Sequence, residues 1–355
     1  MKSHFRSRQK YNDLCKLSAM KSSALQSLIR NENQQLRLPF RLVWNSGEHR
    51  PRALVRFVTG SVLIFLFAAF GSQYRRSPLA GEGPAIQAIN QLVWVLPQAV
   101  SISVGVVLAA LLIDRRRLSN LGLDVDPGWW RGLAGGTILG VGITILSVVV
   151  GLVTGYYDVV DVQIRGGLVV WPLFAVGAAG FQLLYLVPEE LFIRGYMITN
   201  IIEGFDGVSS VPRSVAAGIG VVVTSVVFYF THSGRGHVFG VMIGGIAVLL
   251  GIGYVLSGDL SVPIGIHFGF NIAGVFGGTN PQPASLLQLT ATGSIEATTL
   301  LPIEAVAVQL VGTALGVGLL FWWYHTNDGR VQVDPAVARP TLRWNRSGGM
   351  TNEKR

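Results

Sequence analysis

The chain has 355 residues, of which 50% are hydrophobic and only 13% are charged, and its formal net charge is +9. Soluble domains carry about 25% charged residues, so this composition excludes an ordinary soluble protein and indicates a polytopic membrane protein. The single cysteine, Cys15, excludes an internal disulfide and any multi-cysteine zinc or iron–sulfur site. The positive charge is typical of basic residues that flank apolar spans, and no nucleic-acid-binding motif accompanies it.

The amino-terminal region, residues 1–52, is polar and basic and lacks long apolar runs. Low hydrophobicity with high charge is typical of disorder, so we predict a cytoplasmic tail that is largely disordered. A surface helix near residues 25–38 is the alternative interpretation of part of this tail.

Residues 53–325 are predicted to form a transmembrane helical domain. A membrane-spanning helix needs about 20 apolar residues, and eight segments of roughly this length occur. They lie at about 53–70, 92–113, 132–157, 168–202, 214–232, 238–257, 260–276 and 300–324. The predicted fold class is therefore all-α, a polytopic integral membrane helix bundle of about eight transmembrane helices.

Glycine and proline predict packing and breaks within these segments. Gly132, Gly136 and Gly140 repeat every four residues in the third segment, a spacing that lets another helix approach closely. The fourth segment is too long for one perpendicular span, and Pro188 predicts a kink or a break in it.

Basic residues predict the orientation of the bundle. Arg115, Arg116, Arg117 and Arg131 lie in the loop after the second segment, and loops rich in Lys and Arg face the cytoplasm. Because eight segments return the chain to its starting side, both termini are predicted to be cytoplasmic in a multi-pass protein of the cell membrane. Residues 326–355 carry Gly, Pro, Asn and charge with little periodicity, which predicts a disordered cytoplasmic tail.

The fourth segment contains the stretch Glu189-Glu190-Leu-Phe-Ile-Arg194. Charges at membrane depth are costly, so they are normally paired, turned inward and functional. On a helix Glu190 and Arg194 share a face and are predicted to form a structural ion pair, while Glu189 points about 100° away. The alternative interpretation is a solvated helix end with ordinary surface charges.

Two further groups of polar motif residues lie in later segments, one at the end of the fifth segment and one within the seventh. Phe228 and His232 are four residues apart, as are His267 and Asn271, so on a helix each pair shares one face. A lone histidine at a helix end is more often structural, and a lone asparagine in a span is usually interhelical glue. The conjunction of a carboxylate, imidazoles and an amide is what favours hydrolysis.

The order Glu-Glu-x-x-x-Arg, Phe-x-x-x-His and His-x-x-x-Asn resembles the CPBP intramembrane protease family, which includes the CAAX prenyl endopeptidases and the bacteriocin-immunity-like Abi proteins. The resemblance covers about residues 168–276, and the Val-Pro-Ile just before His267 also looks like the family. It implies peptide hydrolysis at an active site in the bundle. The motif positions that it implies are Glu189, Glu190, Arg194, Phe228, His232, His267 and Asn271.

Amide hydrolysis needs an activated water, donors for the oxyanion and a proton for the leaving amine. Glu189, desolvated in a bundle, is predicted to be the general base, and His232 to share the water or shuttle its proton. His267 and Asn271 are predicted to donate to the oxyanion, which matches what the resemblance implies. The expected partners are the lipid bilayer and a membrane-associated peptide or protein substrate, and no nucleic acid is expected.

Two questions stay open in the sequence: whether a metal is bound, and which function the site serves. Two histidines and a glutamate suit zinc, and the family is often described as metalloproteases, so Glu189, His232 and His267 would be the ligands of a bound metal. The chain has no His-Glu-x-x-His motif, and metal-independent catalysis is the favoured interpretation. The same residues could instead serve a proton-coupled transporter, or the chain could be a non-catalytic membrane immunity or scaffold protein of the same fold.

The linear order of the segments conflicts with a single active site. His267 is about seven residues from the cytoplasmic side, roughly 10 Å, whereas His232 ends its own segment on the far side. Either the fifth segment begins well below the membrane or some helices are broken.

Overall fold

The computed structural model describes residues 42–76, 79–80, 83–206, 208, 210–235, 237–279, 282–291, 303–338 and 342. The predicted surface helix near residues 25–38, Cys15 and most of the predicted amino-terminal tail lie outside these residues. The chain divides into two compact units, Met1–Val55 and Arg56–Arg355.

In the first unit, the described residues form a small antiparallel hairpin. Its strands are β1 (Trp44–Asn45) and β2 (Arg50–Pro51), with Asn45 opposite Arg50. The Asn45 side chain accepts hydrogen bonds from the backbone N–H groups of Gly47 and Glu48, which closes the turn. This hairpin lies at the carboxyl-terminal end of the predicted tail.

The rest of the described chain is mainly helical. The helices are α1 (Ala53–Ser72), α2 (Pro84–Leu108), α3 (Pro127–Val153), α4 (Gly167–Glu190), α5 (Thr199–Asp206), α6 (Arg213–His232), α7 (His237–Ser257), α8 (Ser261–Phe276), α9 (Ile303–Asp328) and α10 (Pro335–Ala338). The π-helical segments Ala109–Ile113 and Leu191–Ile198 continue α2 and α4. Strands β3 (Tyr157–Val162), β4 (Gly277–Gly278) and β5 (Leu287–Ala291) form one sheet in the order β3-β5-β4.

Each of the eight predicted spans coincides with a helix or a continuous helical segment. Among the described residues, six of these segments are long and apolar enough to cross a membrane, and α8 is a shorter apolar helix. The predicted fold class, a polytopic all-α membrane bundle, is confirmed, while the count of eight crossings stays a prediction.

Helices α3 and α8 pack backbone to backbone. A Cβ atom on Gly136 or Gly140 would overlap carbonyl oxygens of α8, and one on Gly265 or Gly269 would overlap carbonyl oxygens of α3. The close approach predicted from the glycine repeat therefore occurs, and its partner is the helix that carries His267.

The predicted break at Pro188 does not occur, because the chain stays helical from Gly167 through Asp206. Its 39-residue apolar stretch is about 58 Å long, far more than the roughly 30 Å of the hydrocarbon core. Gly195 lies against Leu260, just before α8, since a Cβ atom on Gly195 would be 3.6 Å from Leu260 Cδ1. The chain beyond Gly195 therefore extends about 16 Å past the start of α8.

This overhang explains how His232, at the end of α6, and His267, in the first half of α8, come to lie on either side of Phe228. Helix α6 runs back beside the long element, and its Gly220 faces Ile198 and Ile202. His232 is twelve residues further on, about 18 Å, which brings it to the depth of Glu189. This arrangement favours the first of the two explanations, because the fifth segment begins below the level at which α8 begins.

A buried polar cluster ties α1 to the ends of α2 and α5. Asp114 is fully buried and lies 2.8 Å from Arg116 Nη2, and Glu203 Oε2 is 2.9 Å from Arg56 Nη2 and 3.1 Å from Arg116 Nη2. Burial lowers the pKa of Arg116, but the Asp114 and Glu203 carboxylates outweigh it and the net shift is upward. Arg116, one of the basic residues that predict the orientation, is therefore not a surface charge.

Part of the predicted carboxyl-terminal tail contacts the helical bundle. The Asp334 backbone N–H donates to the Val255 carbonyl over 2.9 Å, and Val337 is fully buried in the main hydrophobic core. A short apolar segment of the predicted tail thus docks on the core, although no repeated pattern in the sequence indicates it.

Candidate active site

The polar motif residues converge between α4, α6 and α8. Glu189 and Glu190 end α4, and Arg194 follows in the π-helical segment. His232 is the last residue of α6. His267 and Asn271 lie one turn apart on α8, as the spacing predicts.

Glu190 is the centre of the buried part of this cluster. Its side chain is fully buried, and its Oε1 lies 3.0 Å from Arg194 Nη1 and 2.7 Å from His267 Nδ1. The contact with Arg194 is the one predicted for an i, i+4 pair, whereas no sequence pattern predicts the contact with His267. Glu190 therefore holds the imidazole of His267 in one orientation as well as neutralising Arg194.

Phe228 lies where the three motifs meet. Its ring centroid is 4.4 Å from that of His232 and 6.0 Å from that of His267, and Arg194 Cζ lies 4.9 Å from it. Phe228 is buried. Its aromatic ring lies between the two histidines and against the guanidinium group of Arg194.

The orientation of His232 follows from its backbone partner. Its Nδ1 is 2.9 Å from the carbonyl oxygen of Phe228, and a carbonyl can only accept. The proton of the neutral imidazole is therefore assigned to Nδ1, which leaves the lone pair on Nε2. In this tautomer Nε2 can accept a proton.

Glu189 differs from Glu190 in its surroundings. It is only partly buried, it forms a hydrogen bond with the Tyr185 side chain, and it lies close enough to His267 for an electrostatic interaction. Its Oε2 is buried and has no hydrogen-bond partner among the described groups. A buried carboxylate oxygen needs such a partner, so this oxygen is suited to binding water or substrate.

Asn271 has a partner that sequence reasoning missed. Its Nδ2 donates to Gln182 Oε1 over 3.0 Å. Gln182, Tyr185 and Glu189 follow at intervals of three and four residues, so they form one face of α4. Polar residues at helical spacing in an apolar run were the available signal for Gln182 and Tyr185.

The residues suggested as zinc ligands do not form a metal site in this arrangement. Among the residues that the structure describes, no three His, Cys, Asp or Glu side chains come together in a way that could hold a metal ion. His267 Nδ1 already contacts Glu190. No step of the catalytic mechanism proposed below therefore involves a metal ion.

The comparisons with known proteins point to one family. Residues 167–273 match the family model for the Type II CAAX prenyl endopeptidase Rce1-like proteins. No curated protein and no solved structure matches the chain. The matched region contains all of the candidate active-site residues on α4, α6 and α8. The family that it matches indicates a membrane protease. Residues 167–273 of this multi-pass membrane protein are therefore similar to the CPBP/CAAX intramembrane protease family.

Proposed function

We propose that the protein is an intramembrane endopeptidase that hydrolyses peptide bonds of membrane-associated substrates with a water activated by Glu189 and His232. The observation that carries this proposal is the difference between two adjacent carboxylates. Each has one oxygen without a hydrogen-bond partner among the described residues, but Glu190 is fully buried and paired with Arg194, whereas Glu189 is partly exposed. Only Glu189 has the access that a general base requires.

The first step is attack of water on the peptide carbonyl. Glu189 accepts a proton from the water while the water oxygen bonds to the carbonyl carbon. His232, with its lone pair on Nε2, accepts a hydrogen bond from the same water and orients it. The product is a tetrahedral intermediate with one negatively charged oxygen.

His267 and Asn271 are proposed to stabilise that oxygen. The Glu190 carboxylate accepts the Nδ1–H of His267, and the protonated form of the ring donates its Nε2–H to the oxyanion. Asn271 has two N–H groups, and Gln182 accepts only one of them. One such donor contributes about 2.7–4 kcal/mol in other hydrolases.

The last step is collapse of the intermediate. Glu189, now a carboxylic acid, returns its proton to the leaving amine as the carbon–nitrogen bond breaks. The base of the first step is thus the acid of the second, and no other co-reactant than water is consumed.

The decisive experiment is cleavage by the purified protein in lipid. A peptide library would be incubated with the wild type, Glu189→Ala, His232→Ala and Asn271→Ala, and new termini would be identified by mass spectrometry. We expect Glu189→Ala to slow cleavage by roughly 10²–10⁴-fold and Asn271→Ala by roughly 10²–10³-fold. A transporter or a non-catalytic scaffold of this fold would produce no new termini.

Two further arms refine the result. Prenylated and unprenylated forms of each peptide test whether the substrate carries a lipid. Exhaustive chelation tests the mechanism, because water activated by Glu189 and His232 keeps its reactivity whereas water activated by zinc does not. If the Glu189→Ala variant cleaves peptides at the wild-type rate, Glu189 is not the general base.

A further inference from the structure

A large cavity lies between α3, α9 and the start of α8, and no residue of the candidate active site lines it. Its volume is about 1210 Å³, and it is lined by α3, the start of α8 and α9. Along α3 its apolar wall extends from Gly132 to Leu146, about 21 Å. This length is close to half of a bilayer of 40–45 Å, which is the depth of one leaflet with its headgroups.

The two ends of the cavity differ in chemistry. The deep end is lined by aliphatic residues and glycine, and Trp322 and Trp323 line it nearer the mouth. Indole rings at this position are typical of the membrane interface. The mouth itself is lined by Asp126, Asp259 and Asp334.

These three carboxylates are held by the backbone. Each accepts a backbone N–H over 2.7 Å, from Trp129, Ser261 and Ala336 in turn. Among the described side chains, none forms an ion pair with any of the three. The mouth is therefore preorganised and negatively charged.

Electrostatics at the mouth favour a cationic group. Burial raises the pKa of Asp259, hydrogen bonds from Ser261 lower it, and the Asp126 and Asp334 carboxylates raise it, with a net upward shift. Their mutual repulsion is relieved when a positive charge lies among them. The exposed Arg131 side chain is the one basic group among the described residues that line the cavity, so a zwitterion matches both signs of charge there.

We propose that this cavity binds a phospholipid whose zwitterionic headgroup carries an ammonium group, as phosphatidylethanolamine does. The ammonium lies among the three carboxylates and donates charge-assisted hydrogen bonds to them. The phosphate lies toward Arg131, and an acyl chain follows α3 toward Leu146. This site is independent of the proposed protease activity.

The test uses the full chain purified in a maltoside detergent. Phosphatidylethanolamine and phosphatidylglycerol with the same acyl chains are added separately, and binding is followed by native mass spectrometry and by the thermal unfolding midpoint. We expect phosphatidylethanolamine to bind about tenfold more tightly or better. Equal binding of the two lipids overturns the proposal, as does equal stabilisation by glycerophosphoethanolamine, which has the headgroup without the chains.

Two sets of variants locate the lipid. The triple change Asp126→Asn, Asp259→Asn and Asp334→Asn keeps the capping oxygens but removes the charges, so the preference for phosphatidylethanolamine should disappear. Gly142→Leu fills the cavity without a clash, since no atom lies within 4 Å of its added Cβ, and should abolish binding of the lipid.

Gly218→Leu is the matched control on α6, because Gly218 is equally exposed and equally open. It should leave binding unchanged. An unaltered preference in the triple variant, or equal binding by the Gly142→Leu and Gly218→Leu proteins, would place the lipid elsewhere.

Discussion

Two neighbouring glutamates show how one residue type takes two different environments within a single turn. Glu190 points into the bundle, where Arg194 and His267 both contact its Oε1. Glu189 points toward Tyr185 and is partly exposed. The angle of about 100° between successive residues of a helix is the cause of this difference.

Replacing each glutamate by glutamine separates stability from activity. Glu190→Gln leaves Arg194 buried without its counter-charge, so we expect the free energy of unfolding to fall by about 3–5 kcal/mol. Glu189→Gln removes no ion pair of the described residues and should unfold near the wild-type temperature, yet lose cleavage. Thermal unfolding in detergent checks the first result, and equal midpoints for the two variants would show that the roles are misassigned.

Gln182 is a positioning residue in our proposal, because it acts through Asn271. Gln182→Leu removes the acceptor of the Asn271 amide, and we expect kcat to fall about tenfold with KM unchanged. Gln182→Glu retains an acceptor oxygen and should restore most of kcat. A purely structural role for Gln182 would lower the unfolding midpoint without this separation of kcat from KM.

At the scale of elements, the close packing of α3 on α8 determines where His267 and Asn271 lie. The π-helical segment Leu191–Ile198 adds a second constraint, since all eight of its residues are buried. Segments of this kind are frequent at functional sites. Here it follows directly after Glu190 and contains Arg194.

A methyl group on α8 tests the importance of this packing. Gly265→Ala would place its Cβ against the Leu133 carbonyl oxygen, so the two helices must separate. We expect a loss of about 1–3 kcal/mol in unfolding free energy, together with slower cleavage.

Gly274→Ala is the control on the same helix, because no atom lies within 4 Å of its added Cβ. It should be neutral or slightly stabilising, since alanine is the better helix former by about 1 kcal/mol. Equal unfolding midpoints for the two alanine variants would contradict the proposed role of the contact.

At the scale of the whole molecule, the orientation in the membrane is still a prediction. Reporter fusions after Arg117 and at the carboxyl terminus should report the cytoplasm, whereas fusions near Arg76 and Pro283 should report the outside. The measurement is the activity of a compartment-specific reporter. Tails on opposite sides would mean an odd number of crossings. The count that places His267 near the cytoplasmic side would then be wrong.

Composition and residue spacing are enough to indicate the class of the protein and most residues of its candidate site. Composition and long apolar runs are sufficient for a helical membrane bundle, because a backbone in lipid must satisfy its own hydrogen bonds. Polar residues in such runs are costly, which is why the sequence alone singles out Glu189, Glu190, His232, His267 and Asn271. The four-residue spacing also predicted the contact of Glu190 with Arg194 and the glycine face of α3.

How these residues come together depends on tertiary contacts between distant parts of the chain. Counting residues along each span put His232 and His267 at different depths, because it assumed that every helix begins at the same membrane surface. The long element from Gly167 to Asp206 removes that assumption by extending past the start of α8, so that α6 begins lower and ends at about the depth of Glu189. The contacts of Glu190 with His267 and of Gln182 with Asn271 join residues 77 and 89 positions apart in the chain, and no local periodicity predicts such pairs.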